Sequence, residues 1–278
     1  MTAVPAKSLR PAQVMGVVNV TPDSFSDGGR FFDPAAALAH ARRLIAEGAD
    51  LLDVGGESTR PGATPVSAEA EIARIVPLVR ALRAETDIAI SVDTMKPQVA
   101  RAAVAAGANL WNDVTALRHA PDSLAVAAEL GCQVVLMHMQ GEPRSMQAEP
   151  RYGDVVAEVT AFLAARVEAA LAAGVARERI WLDPGIGFGK QMIRHNLPLL
   201  AGLHRIVALG FPVLLGVSRK RFIGALDHDA APDQRLGGSI AAALAGVAAG
   251  VAAVRVHDVR ETVQALRVWQ AIAAAQPG

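Results

Sequence analysis

Residues 180–190 have the sequence IWLDPGIGFGK, in which a short apolar run stops at Asp183 and a glycine-rich loop follows. The same arrangement recurs along the chain, where apolar runs end near Asn19, Asp53, Asp93, Asn112, His138, Asp183, Ser218 and Arg255. Between these runs lie Ala- and Leu-rich stretches with helical spacing. The alternation predicts an α/β fold, a closed (β/α)8 TIM barrel in which the carboxyl ends of the strands share one mouth.

The connections favour this barrel over an open doubly wound sheet. Predicted helices end at a glycine just before the next strand, where a positive φ is expected, at Gly48, Gly107, Gly131, Gly174 and Gly210. The loops after the strands are longer and hold the unusual residues, as in barrel enzymes. We therefore predict a single barrel domain over residues 14–278, preceded by an N-terminal extension over residues 1–13. Among its helices we predict Tyr152–Ala173, Leu197–Leu209 and Gln234–Gly250.

Composition excludes several classes of protein. The 278 residues include 27 Lys and Arg against 27 Asp and Glu, and only 4% are aromatic, so neither nucleic acid nor a membrane surface is an expected partner. The one cysteine, Cys132, allows no internal disulfide and is expected to be buried. The apolar stretch Ile240–Val254 is shorter than the ~20 residues of a membrane span, and the first ten residues lack a signal-peptide core. A cytoplasmic protein is the expectation.

The loops after the first two strands have the composition of binding loops. Residues 19–29 read NVTPDSFSDGG, and Asn19 offers a hard oxygen suited to Mg²⁺ or to hydrogen bonding. Residues 55–62 read GGESTRPG, in which Arg60 could clamp an anion. Taken singly, each segment also fits an ordinary surface turn.

Three polar residues end predicted strands in a way that suits recognition of a flat ligand. Asp93, Asn112 and Asp183 could together read the edge of a planar heterocycle that carries amino and ring N–H groups. A lone aspartate after a strand is often only a helix cap. Three polar residues at the same height in the barrel favour a ligand instead. Phe188, set among glycines, would hold an aromatic ring against that ligand, whereas the glycine spacing does not match a phosphate loop.

A cationic corner is expected after the last two strands. Lys220 lies in the run Ser218-Arg-Lys-Arg221, and alternation places Arg255 and His257 on one face of the last strand. Together they could hold a pyrophosphate through charge-assisted hydrogen bonds. A solvated basic face and a structural His257 are the alternatives. His138 lacks a second metal ligand at suitable spacing. It is interpreted either as structural or as a support for a neighbouring site residue, and so is Asp53.

Taken together, the motifs closely resemble those of the dihydropteroate synthases, pterin-binding enzymes of bacterial folate biosynthesis. The resemblance extends from Val14 to the last helix and rests on residues 19–29, 55–62, 91–94 (SVDT), 112–114 (NDV), 136–141 (LMHMQG), 183–190, 218–220 (SRK) and 255–259 (RVHDV). One departure is visible, because Gln191–Arg194 before His195-Asn196 looks like a one-residue insertion at the barrel rim.

The resemblance implies a transferase that condenses 6-hydroxymethyl-7,8-dihydropterin pyrophosphate with p-aminobenzoate in an SN1-like displacement. It implies Mg²⁺ as cofactor, with Asn19 as its ligand, and a homodimer. Catalytic roles would fall to Asp93, Lys220, Arg60 and Asp27. Pterin contacts would fall to Asp93, Asn112, Met137, Asp183, Phe188, Lys220 and Arg255. Pyrophosphate contacts would fall to Asn19, Arg255 and His257. The p-aminobenzoate pocket, which is also the sulfonamide site of the family, and its closing loops would involve Phe25, Thr59, Arg60, Pro61, Phe188 and Lys220.

Two other functions remain compatible with a pterin-binding barrel. Methyltetrahydrofolate:corrinoid methyltransferases share the pterin-reading residues but need no pyrophosphate site. A non-catalytic paralogue would bind the pterin pyrophosphate without condensing it. Arg255, His257, Arg60 and the long first loop favour the synthase over the methyltransferases. The presence of Asn19, Asp27, Arg60 and Lys220 argues against a non-catalytic paralogue.

Overall fold

The computed structural model describes residues 12–21, 34–58, 64–141 and 146–275. Within them, the strands are β1 (Gln13–Asn19), β2 (Leu51–Gly55), β3 (Ala89–Asp93), β4 (Leu110–Asp113), β5 (Gln133–Met137), β6 (Ile180–Asp183), β7 (Leu214–Gly216) and β8 (Ala253–Val256). They form one parallel sheet in the order β6-β5-β4-β3-β2-β1-β8-β7. A parallel bridge between Leu182 and Val213 joins the two outer strands, so the predicted barrel is confirmed.

Helices cover the outside of this barrel. In the described ranges they are α1 (Pro34–Ala46), α2 (Ala68–Glu85), α3 (Pro97–Ala105), α4 (Ser123–Leu130), α5 (Val155–Ala172), α6 (Asn196–Ala201), α7 (Leu203–Val207), α8 (Arg221–Leu226), α9 (Leu236–Ala249) and α10 (Val259–Ala274). Outward-facing strand residues such as Val54 and Val92 pack with helix residues such as Leu44 and Ile75 in the larger hydrophobic core. The glycines predicted after helices all have positive φ, from 58° at Gly131 to 113° at Gly107.

Two predicted helices differ from the structure for identifiable reasons. The helix expected over Leu197–Leu209 is divided at Gly202, where a Cβ would lie 2.6 Å from the side chain of Val156 on α5. The helix expected from Tyr152 begins instead at Val155, because the Asp154 carboxylate caps it by accepting from the amides of Val156 and Ala157. The connection after β7 also contains the short helix α8, which is not among the predicted helices.

Strand alternation creates the functional layer of the barrel. A separate apolar cluster of Met15, Leu51, Leu110, Val135, Trp181, Leu214 and Ala253 draws one residue from each of seven strands and fills the interior. Because the side-chain period of a strand is two, residues two positions further on face the same interior, closer to the carboxyl ends. These residues are Val17, Asp53, Asn112, Met137, Asp183, Gly216 and Arg255. Asp93 is paired in register with Asn112 and so belongs to the same level of the barrel. The apolar cluster therefore lies beneath a mostly polar layer.

One further expectation is confirmed. Cys132 is buried and free. The apolar stretch Ile240–Val254 continues from α9 into β8. Of the helices in the described ranges, none is long and apolar enough to cross a membrane.

Candidate active site

The polar layer at the barrel mouth is organised around Arg255. Its Nε donates to Asp53 Oδ2 at 2.6 Å, and its Nη2 donates to Asp93 Oδ2 at 2.9 Å. Asp53 Oδ2 also accepts from Asn112 Nδ2 at 3.2 Å. The fully buried Asp53 therefore orients Arg255 and Asn112, two of the predicted ligand contacts, which fits the supporting role considered for it.

Several buried polar atoms of this layer have no hydrogen-bond partner among the described residues. They are Asp53 Oδ1, Ser91 Oγ, Asp93 Oδ1 and Asn112 Oδ1. An unmet buried acceptor costs about 1–3 kcal/mol, so a group of them in one place is unfavourable unless a ligand supplies donors. Ser91 was missed by the sequence interpretation, although its position two residues before Asp93 places it on the same interior face.

Burial and charge also shift the ionisation of the site. The pKa of Asp93 is raised to about 7, first by burial and then by the negative charge of Asp53. Burial raises the pKa of Asp183 to about 6, against the opposing effects of the Gly185 amide and Lys220. Burial, followed by the charge of Arg255, lowers the pKa of Lys220 to about 8. These carboxylates and the lysine change charge near neutral pH, as groups in active sites often do.

An aromatic and thioether surface adjoins the polar layer. The Lys220 Nζ lies 4.2 Å from the centroid of the Phe188 ring, within the range of a cation–π contact. Phe188 packs against a cluster of Val114, Met137, Met139 and Met146. Met137 is paired in register with Asp183, so this surface lies next to a polar group that ends β6. The arrangement suits a flat, partly polar ligand.

The predicted cationic corner needs one correction. His257 is held by Ser218, whose Oγ lies 3.2 Å from the backbone nitrogen of His257 and 3.0 Å from its Nδ1. Burial, and next the charge of Arg255, lower the pKa of His257 to about 4, so the ring is neutral at pH 7. In the free protein His257 is therefore a neutral hydrogen-bonding group and not a cation. Arg219 of the same basic run forms an ion pair with Asp258.

Asn19 ends β1 beside the polar layer. A Cβ built on Gly55 would lie 3.7 Å from Asn19 Oδ1 and 3.5 Å from the Cβ of Asp93, so Asn19 and Asp93 both border this glycine. The described parts of the chain contain no group of three or more His, Cys, Asp or Glu residues able to hold a metal. A single amide oxygen fits Mg²⁺ bound chiefly by substrate phosphate and water, which is a common arrangement for this ion.

Some predicted residues lie outside the described ranges. These are Phe25, Asp27, Thr59, Arg60 and Pro61. The apparent insertion Gln191–Arg194 is exposed in front of α6, as expected for the barrel rim. His138 is buried and hydrogen-bonds through Nδ1 to Lys190 Nζ at 2.9 Å, in keeping with a structural role. The contacts of Lys190 are not predictable from sequence spacing.

Comparison with known proteins decides the family. Residues 15–257 match the family described as pterin binding enzyme. The dihydropteroate synthase of Escherichia coli K12 is 47% identical over 263 residues, which cover 95% of this chain and 92% of the relative. The chain belongs to the dihydropteroate synthase family. The resemblance drawn from the motifs is thereby confirmed.

Solved structures of the family agree closely with the fold. A dihydropteroate synthase from Xanthomonas albilineans with 4-aminobenzoic acid is 54% identical, has a TM-score of 0.90, and is matched over 97% of this chain and 95% of its own. A structure from the same organism in complex with 7,8-dihydropteroate is 50% identical with a TM-score of 0.87, over 98% and 97% of the two chains. These family members are transferases, and the methyltransferase alternative receives no support from them.

Proposed function

We propose that this chain joins 6-hydroxymethyl-7,8-dihydropterin pyrophosphate to p-aminobenzoate and releases 7,8-dihydropteroate and pyrophosphate. The observation that carries the proposal is the set of unpaired buried acceptors on Asp93 and Asn112, inside a barrel mouth that also holds Lys220 and Arg255. Relatives that bear the name of this activity are 47% identical over nearly the whole chain. Sulfonamides would compete for the p-aminobenzoate pocket.

The pterin would be held by hydrogen bonds at its edge and by contacts on its faces. Its amino and ring N–H groups are donors, and the free oxygens of Asp93 and Asn112 are acceptors that lack them. Asp183 has one oxygen occupied by the Gly185 amide at 2.6 Å, which leaves the other oxygen for the ligand. Met137 and Arg255 would pack against the ring. Each donor supplied by the ligand would relieve an unmet acceptor, so recognition would be strong and selective.

The reaction would begin when the bond between the pterin methylene carbon and the pyrophosphate oxygen breaks. The electron pair leaves with the pyrophosphate, and the methylene carbon becomes a cation conjugated to the ring. Ionised Asp93 would stabilise that positive charge, while Lys220, Arg255 and the neutral His257 would bind the developing negative charge on the leaving group. The amine of p-aminobenzoate then forms the new carbon–nitrogen bond and loses one proton. No strong base is needed, so positioning and electrostatics would provide most of the catalysis.

Asn19 would hold the Mg²⁺ that the reaction uses. When bound, the ion neutralises charge on the pyrophosphate and makes it a better leaving group. Residues Phe25, Asp27, Thr59, Arg60 and Pro61 would close the site and keep water away from the cation.

We further propose a homodimer located in the cytoplasm. An apolar strip on α9 and α10 is formed by Leu244, Val268, Trp269 and Ile272. Val268 and Ile272 are 56% and 63% exposed, and a second copy of the chain would cover them. Sedimentation should give the mass of a dimer for the native protein.

The decisive experiment supplies purified protein with pterin pyrophosphate, p-aminobenzoate and Mg²⁺. We expect dihydropteroate and pyrophosphate in equal amounts, both dependent on p-aminobenzoate. Lys220→Ala should lose most of this activity, whereas Arg221→Ala, which removes an exposed cation next in sequence, should keep it. Failure to form dihydropteroate would reject the proposal, and pterin binding without product would instead indicate a non-catalytic paralogue.

A further inference from the structure

Lys190 is a buried lysine to which the proposed reaction assigns no part. Only 1% of its surface is exposed. Its Nζ lies 2.9 Å from the carbonyl oxygen of Gly185, 3.0 Å from that of Phe188 and 2.9 Å from Nδ1 of His138. Burial lowers the pKa of Lys190 to about 7, against the opposing charge of Asp183. In its ammonium form Nζ has three N–H donors, which these three acceptors satisfy completely. A longer contact of 3.4 Å reaches the carbonyl oxygen of His138.

The loop around this ammonium is shaped by glycines. Gly185, Gly187 and Gly189 have φ values of 66°, 83° and 58°, which other residues rarely adopt. A Cβ on Gly185 would lie 1.9 Å from the carbonyl oxygen of His138, and one on Gly189 would lie 2.3 Å from that of Gln140. Residues 184–190 therefore lie directly against the backbone that follows β5, with the Lys190 ammonium between the two segments.

The same loop carries two residues of the candidate site. The amide of Gly185 donates to Asp183 Oδ1 at 2.6 Å, while its carbonyl accepts from Lys190. The backbone carbonyl of Phe188 also accepts from Lys190. The aromatic ring of Phe188 lies against the Nζ of Lys220. Asp183 is additionally fixed by the backbone bond from His138 N to its carbonyl oxygen at 3.0 Å, which Lys190 does not make. Phe188 is thus the site residue whose position depends most on Lys190.

The His138 ring is held neutral and in a fixed orientation, so that its Nδ1 can accept a hydrogen bond from Lys190. Burial, and next the charge of Lys190, hold the pKa of His138 at about 3, so its ring stays neutral and Nδ1 remains an acceptor. The His138 ring packs edge-on against Phe162 of α5 at 4.8 Å between centroids, which fixes its orientation. Loss of the ammonium would leave the carbonyls of Gly185 and Phe188 buried without a donor.

We propose that Lys190 is a positioning residue, whose ammonium ties residues 184–190 to the segment after β5 and so sets the place of Phe188 beside the p-aminobenzoate pocket. It touches neither substrate. The assignment of the pocket rests on the proposed function, whereas the tie between the two segments does not.

Lys190→Met, which keeps the apolar stem and removes the charge, tests the proposal. We expect the KM for p-aminobenzoate to rise about 10-fold or more, because small displacements of a positioning group are costly, with the Kd for pterin pyrophosphate nearly unchanged. Hydrogen exchange measured by mass spectrometry should accelerate in residues 184–190 and 138–141 and remain as in the wild type elsewhere. The control Gln191→Ala, at an exposed neighbour, should change none of these quantities.

A second variant covers the case in which Lys190→Met does not fold. His138→Phe keeps a ring against Phe162 but removes the Nδ1 acceptor, and should give the same pattern with a smaller amplitude. Unchanged KM and unchanged local exchange would overturn the proposal, as would equal losses in KM and Kd with faster exchange throughout the chain. If the wild type makes no dihydropteroate, the proposed function fails. The hydrogen-exchange data would still test whether Lys190 holds residues 184–190 against the segment after β5.

Discussion

Replacing Asp93 by Asn should stabilise the free protein at neutral pH while it removes activity. Burial and the neighbouring charge of Asp53 raise the pKa of Asp93 from 3.8 to about 7. The folded protein therefore binds a proton that the unfolded chain releases at lower pH. Stability from this group is fully present below pH 3.8 and is lost as the pH rises through 7. Asparagine cannot ionise and does not incur this loss.

The size of the effect follows from the shift. One pKa unit corresponds to about 1.4 kcal/mol, and a single group with these two pKa values loses about 2 kcal/mol of unfolding free energy between pH 5 and pH 7. The Asp93 side chain is 13% exposed, so solvent screening reduces the effect little. For a chain of this size, the difference in Tm between Asp93→Asn and the wild type should increase by about 5 °C over that range.

Calorimetric Tm values for both proteins at pH 5, 6 and 7 without ligand provide the assay. Asp87→Asn, at an exposed position just before β3, serves as the control and should run parallel to the wild type. Turnover of Asp93→Asn should fall by about 10²-fold or more, since a charge that stabilises the transition state is gone. Parallel Tm curves for Asp93→Asn and the wild type would refute the reasoning.

Three other predictions address different parts of the site. The kcat/KM should fall as the pH drops below about 7, where Asp93 gains a proton, and Asp53→Asn should move this limb to lower pH; a limb that stays in place would contradict the coupling. Gly185→Ala should cost roughly 3 kcal/mol or more in unfolding experiments, because its φ is 66° and a Cβ would strike a carbonyl oxygen. Gly237→Ala, in α9 with open space around it, should be neutral or stabilising, and equal losses at both glycines would be inconsistent with this account. Asn19→Ala should raise the Mg²⁺ concentration for half-maximal rate about 10-fold, measured by titration of activity, and an unchanged requirement would remove Asn19 as the ligand.

The barrel and most of its polar layer could be predicted because both depend on local sequence. Each strand is a short apolar run, and strand alternation alone places the final polar side chain on the same face as an apolar residue two positions earlier. Asp183 follows Trp181 in this way, and Asn112 follows Leu110. The division of one helix at Gly202 could not be read in the same manner, since it depends on the close approach of Val156 from another part of the chain.

The remaining features of the site depend on contacts between distant residues. The neutral state of His257 follows from burial beside Arg255 and Ser218, which sequence spacing does not reveal. The role of Lys190 could not be predicted, because two backbone carbonyls and the His138 ring come together around its Nζ only when the loop folds. Ser91 is predictable in principle, since it shares an interior face with Asp93. A single serine inside an apolar strand does not by itself indicate a ligand contact.

The central claim is that the polar layer at the mouth of the barrel binds the pterin. Calorimetric titration of pterin pyrophosphate into the wild type and into Asp183→Ala, without p-aminobenzoate, tests it most directly. We expect one binding site per chain in the wild type and no detectable binding in a folded Asp183→Ala protein. Equal affinity in the two proteins would contradict the claim.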